Sequence, residues 1–140
     1  MVKFVYDDGG RKEAGFKGET GDCVCRAISI ATGKPYKEVY DLINEFAKKE
    51  RGCDKSSART GVRPKTTRKV MDKLGWEWVP IMKIGTGCTV HLDGDELPKG
   101  RIVCKCSKHV VAVIDGVVHD TYDSTRDGTR CVYGYYRKRV

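Results

Sequence analysis

The spacing of apolar residues changes at Gly75, and that change limits the fold more than any other feature of the chain. Before it, apolar positions recur every three or four residues. Val24, Ala27, Ile28 and Ala31 form one stripe, and Tyr36, Val39, Tyr40, Ile43, Phe46 and Ala47 form a second. A shorter third stripe holds Thr67, Val70, Met71 and Leu74. These spacings predict helices over Cys23–Thr32, Pro35–Lys49 and Thr66–Leu74. Asp22 stands where an N-cap belongs, Gly33 and Gly75 where helices stop, and Pro35 suits a first turn.

After Gly75 the period is two. Trp76 and Trp78 share one face of a strand that Pro80 marks as an edge or an end. Arg101–Cys106, His109–Ile114 and Val117–Tyr122 read as neighbouring antiparallel strands, the last two joined by the hairpin turn Asp115-Gly116. Cys131–Tyr136 is a final strand and Val2–Tyr6 a short first one. Residues 85–100 contain four glycines and Pro98 and read as a loop with an extended piece at Thr89–Leu92. Helices followed by an antiparallel sheet predict an α+β fold in segregated layers. A chain of 140 residues has room for a single domain, residues 1–140, around one core. No apolar run approaches the ~18 residues of a membrane span, and the first residues lack the apolar region of a signal peptide. The expectation is a cytoplasmic protein without a membrane partner.

Seven cysteines, an odd number, then stand in a reducing compartment. Disulfides are not expected there, and most of these thiols read as small apolar fillers. The net charge is +8. From Lys48 to Lys73 ten basic residues face three acidic ones, a surplus of seven. This segment reads as a solvated connection between helices, exposed over Arg51–Lys65 and able to hold polyanions weakly.

One cysteine differs from the rest. Cys23 follows the cap position of the first helix, where unpaired N–H groups and the helix dipole favour a thiolate. His109 opens a strand, and a nearby histidine takes a thiol proton and later protonates a leaving group. The Asp115-Gly116 hairpin pairs Ile114 with Val117, Val113 with Val118 and Ala112 with His119. That register sets Asp120 diagonal to His109 on one face. A carboxylate there orients the imidazole. Asp123, of opposite parity and beyond the strand, is a weaker candidate. Singly, a cysteine in a helix is ordinary packing and a histidine at a strand end is an ordinary polar residue; the joint placement points to chemistry. Cys25, two residues on, is the competing thiol.

Asp22-Cys23 before an apolar helix, His109-Val110-Val111 on a strand and the following Asp120 resemble the motifs of C39-like members of the papain-like cysteine peptidase superfamily. Nearly all of residues 1–136 also resembles small uncharacterised proteins of bacteria and their phages. The shared segments are residues 21–23, 26–28, 31–36, 108–109 and 112–117. The first resemblance implies a papain-like fold, N-terminal helices on a C-terminal antiparallel sheet, with Cys23 as nucleophile, His109 as base and Asp120 as orienting group. It implies a peptidase, isopeptidase or amidase that works by acyl transfer on a peptide or protein, without cofactor or metal. If the chain is phage-encoded, the compartment is the host cytoplasm and the substrate a host protein. One departure concerns the oxyanion donor. The family pattern has glutamine six residues before the cysteine; Lys17 stands there, and the chain contains no glutamine. Lys17, Thr20 or backbone N–H groups are the remaining candidates. The alternative is a non-catalytic binding or inhibitor protein of phage origin on the same fold.

Two other classes are less well supported. Cys23-x-Cys25 and Cys104-x-Cys106 are spaced too closely for common structural zinc sites, and Cys104 and Cys106 share a strand face with Ile102. They also lie on the strand beside His109, which makes them candidates to line its cleft. A nucleic-acid binder would use the basic segment with Trp76 and Trp78 for stacking, but no recognised binding signature accompanies them.

Overall fold

The computed structural model describes residues 4–15, 22–49, 58, 62–82, 85, 87–106 and 109–139. Among them are three helices and six strands. In chain order these are β1 (Phe4–Tyr6), α1 (Cys23–Thr32), α2 (Tyr36–Lys49), α3 (Pro64–Lys73), β2 (Trp76–Pro80), β3 (Arg101–Cys106), β4 (His109–Ile114), β5 (Val117–Asp120) and β6 (Val132–Lys138). The strands make one mixed sheet in the order β1-β5-β4-β3-β6-β2.

The helix boundaries follow local chemistry. Gly33 caps α1 at φ 76°, its N–H bonded to the Ser29 carbonyl. The Pro35 carbonyl accepts from Val39 N–H at 3.2 Å, so Pro35 sits just outside α2 rather than inside it. Pro64 begins α3 two residues before the expected Thr66, because its missing N–H costs nothing in a first turn. Asp22 occupies the cap position of α1, but its carboxylate makes no capping bond. Buried at 1% exposure, it is engaged by the Arg26 guanidinium and the Tyr36 hydroxyl instead. A charged donor outcompetes a backbone N–H for a carboxylate in a dry site.

The central hairpin has the expected register: Ile114 pairs with Val117, Val113 with Val118 and Ala112 with His119. Asp115 and Gly116 both take positive φ, 49° and 80°, as a two-residue turn between twisted strands requires. β5 ends at Asp120, two residues short of the predicted end.

The sheet is not purely antiparallel, contrary to expectation. β1 runs parallel to β5, pairing Phe4 with Val118 and Tyr6 with Asp120. The hairpin leaves one edge of β5 unpaired, and β1 satisfies its backbone groups. Nothing in the local period of Phe4–Tyr6 marks a strand as parallel or antiparallel.

Apolar side chains fill both faces of the sheet. On one face Ile28, Ile43, Met71, Val103, Val110 and Ala112 join the three helices to the strands. On the other, Leu92 and Leu97 from the loop before β3 cover Ile102, Cys104, Val111, Val113 and Val118. This two-sided cover explains why β4 reads as a nearly unbroken apolar run. Truncating a fully buried Ile28 or Ile43 to alanine would cost about 2–5 kcal/mol.

The cysteines need a correction. Cys88 and Cys131 form a disulfide that ties the loop before β3 to the start of β6. The expectation of a chain without disulfides therefore fails for this pair. Forty-three residues separate the two, and contacts between distant segments are not written in local sequence. Cys25, Cys104 and Cys106 are buried fillers. Cys53 lies outside the described residues, as does most of the basic stretch Arg51–Lys65; its described end is already helical from Pro64. Among the described residues no helix is long and apolar enough to cross a membrane.

Candidate active site

Three elements meet at His109. α1 brings Cys23 on its first residue, β4 brings His109 on its first, and β5 brings Asp120 on its last. The imidazole Nε2 lies 2.6 Å from Asp120 Oδ2. The same ring acts on the Cys23 thiol, and with Nε2 taken by the carboxylate, Nδ1 is the nitrogen left for sulfur. His109 and Asp120 are buried, while Cys23 is half-buried. The Tyr122 ring stands against the imidazole with centroids 5.5 Å apart.

The electrostatics favour charge separation. Burial alone would push the Cys23 thiol up. The hydrogen bond to His109, the charge of that ring, the Val110 N–H and Arg26 outweigh it, and the thiol falls below its ordinary value. Burial also pulls His109 down, but hydrogen bonds to Asp120 and Cys23, with their negative charges, hold it above the usual imidazole value. Burial would raise Asp120; the bond and charge of His109, the Thr121 N–H and the Ser124 hydroxyl keep it low. The arrangement can therefore hold a thiolate beside an imidazolium, itself backed by a carboxylate.

Asp120 has further partners that sequence reasoning did not find. Arg26 Nη2 donates to Oδ1 at 3.3 Å, the Thr121 N–H to Oδ1 at 2.7 Å and Ser124 Oγ to Oδ2 at 2.8 Å. Arg26 also holds Asp22, whose other oxygen accepts from Tyr36 Oη at 2.6 Å. An arginine one turn after the cysteine is the signal that could have found this link, since positions four apart share a helix face.

The other candidates fall elsewhere. Asp123 accepts from Thr125 rather than from His109. Cys25 points to the Tyr36 carbonyl at 3.7 Å, and burial with the charge of Asp22 pushes its thiol up to about 12. Burial takes Cys106 to about 11 and Cys104 well above its ordinary value. Both are fully buried in the second apolar cluster and line no cleft beside His109, which corrects that expectation. Lys17 and Thr20 lie outside the described residues. Among the described residues no group of histidines, cysteines and carboxylates is placed to hold a metal ion. Comparison of the chain with family models, with curated proteins and with solved structures finds no match.

Proposed function

We propose that this chain is a cysteine hydrolase of the papain-like type, cleaving a peptide, isopeptide or amide bond through a thioester. The observation that carries the reading is the 2.6 Å contact of His109 Nε2 with Asp120, made by the same ring that lowers the Cys23 thiol. The Cys23 thiolate adds to the substrate carbonyl carbon. His109, protonated, gives its proton to the departing amine as the carbon–nitrogen bond breaks, leaving a thioester. A water then loses its proton to His109 and attacks that thioester, and the carboxylic acid leaves with the thiol restored. Asp120 holds the ring in place and balances its charge. The backbone N–H groups at the start of α1 are candidate oxyanion donors alongside Lys17 and Thr20.

A thiol-directed activity probe tests the reading. Cys23 should be labelled at neutral pH in the folded protein, and the adduct should release a free acid product when the probe is an activated ester or amide. Cleavage of no acyl substrate by a Cys23 that does react would favour a second reading, a non-catalytic binding protein on the same architecture. That reading rests on Lys17, which stands where the resembling peptidases carry their glutamine.

A further inference from the structure

A groove of about 600 Å³ lies between α3 and the sheet. Its walls come from Val24 and Val110, the residues after Cys23 and His109, and from Val62, Trp78 and Tyr136. The backbone of Val110 also helps to hold the Cys23 thiol below its ordinary value, so one residue belongs to both the groove and the thiol's surroundings. The volume suits a bound apolar side chain or two. The Trp78 ring packs on Tyr136 with centroids 4.9 Å apart, and Arg68 lies over its indole at 5.8 Å.

The polar part of the lining has one sign. Lys65, Arg68, Lys69 and Lys105 contribute, and no carboxylate stands among the described residues that line the groove. Apolar walls under a cationic rim fit a ligand that is both apolar and anionic. We propose that the groove binds the substrate segment next to the reacting carbonyl, and that this segment pairs a large apolar side chain with an adjacent carboxylate. The proposal rests on the hydrolase reading for its connection to Cys23, and it names the substrate class of that site. Single-stranded nucleic acid is the less suited occupant, because Trp78 is half-buried against Tyr136 rather than presented as an open stacking face.

Binding separates the two ideas. The full chain carrying Cys23→Ala would be titrated, by its tryptophan fluorescence at low ionic strength, with acetyl-Glu-Phe-Ala-Ala-amide. The controls replace glutamate by lysine, or phenylalanine by alanine. The acidic, aromatic peptide should bind roughly tenfold more tightly than either control. Lys65→Glu combined with Lys105→Glu should abolish or reverse the charge preference; both side chains sit at the surface or partly so, and neither belongs to the catalytic group. Equal or undetectable binding of the three peptides overturns the proposal, as does an oligothymidylate that quenches the tryptophan while the acidic peptide does not. Labelling of wild-type Cys23 is scored separately. Labelling without peptide preference removes the groove and leaves the hydrolase; peptide preference without labelling removes the hydrolase and supports the groove.

Discussion

Arg26 reaches Asp120 across 94 residues of sequence, Nη2 to Oδ1 at 3.3 Å, and so joins the first helix to the end of the fifth strand. The same guanidinium grips Asp22 at the start of that helix. The residues flanking the candidate nucleophile are thereby tied to the carboxylate that orients His109.

Arg26→Gln should raise the pH midpoint for alkylation of Cys23, because Arg26 contributes positive charge that favours the thiolate. It should also cost about 1–3 kcal/mol of stability, since buried Asp22 loses Arg26 and keeps Arg11 at 3.4 Å. Arg26→Lys restores the charge but not the two-carboxylate fork, and should recover the pH midpoint better than the stability. An unchanged alkylation profile in Arg26→Gln would show that the residue is structural only.

Thiol selectivity should be strong. At neutral pH Cys23 should react before Cys25, Cys104 and Cys106, whose thiols burial holds well above it. Mass spectrometry after brief treatment with iodoacetamide reads the order directly. His109→Ala should shift Cys23 alkylation to higher pH, because the largest influences lowering that thiol come from the ring. Preferential labelling of Cys25 would contradict the assignment.

Asp120→Asn tests the carboxylate through stability and pH together. Its folded-state value lies below the ordinary one, so the stability it contributes is present above about pH 4 and is lost as pH falls through the folded value. Wild type should exceed the variant by about 1–3 kcal/mol in urea unfolding at pH 6, and the gap should close towards pH 2. A gap independent of pH would mean that the charge of Asp120 is not what the fold uses.

Gly134 pairs with Pro80 on the edge strand, and a Cβ placed on it would come within 2.5 Å of the Trp78 ring and 2.7 Å of the Val79 carbonyl. Gly134→Ala should therefore displace Trp78, destabilise the β2–β6 edge by about 1–3 kcal/mol and change the tryptophan emission. Cys23 alkylation should persist, because the thiol's partners lie on other strands. Wild-type stability in the variant would show that the edge yields freely.

Opening the Cys88–Cys131 disulfide should lower stability by about 2–4 kcal/mol, as expected for a link that closes a loop of this length. Urea unfolding of Cys131→Ser, with and without reductant, measures it. A reductant-insensitive wild type would mean that the link is absent in solution.

Sequence alone was enough for the features that depend on neighbours along the chain. The change of period at Gly75 separates helices from strands because side-chain geometry repeats locally, every 3.6 residues or every two. Asp115-Gly116 specifies the hairpin register because few turns admit positive φ at both central residues. Cys23 at a helix start and the diagonal placing of His109 and Asp120 follow from those two facts. The parallel seat of β1, the Cys88–Cys131 link, the hold of Arg26 on Asp120 and the groove between α3 and the sheet were decided only by tertiary structure. Each joins segments far apart in the chain. A parallel strand has the same local period as an antiparallel one, and Arg26 would look the same on any exposed helix face. The choice among such partners is set by which unpaired edges, buried charges and apolar surfaces remain once the local elements have packed.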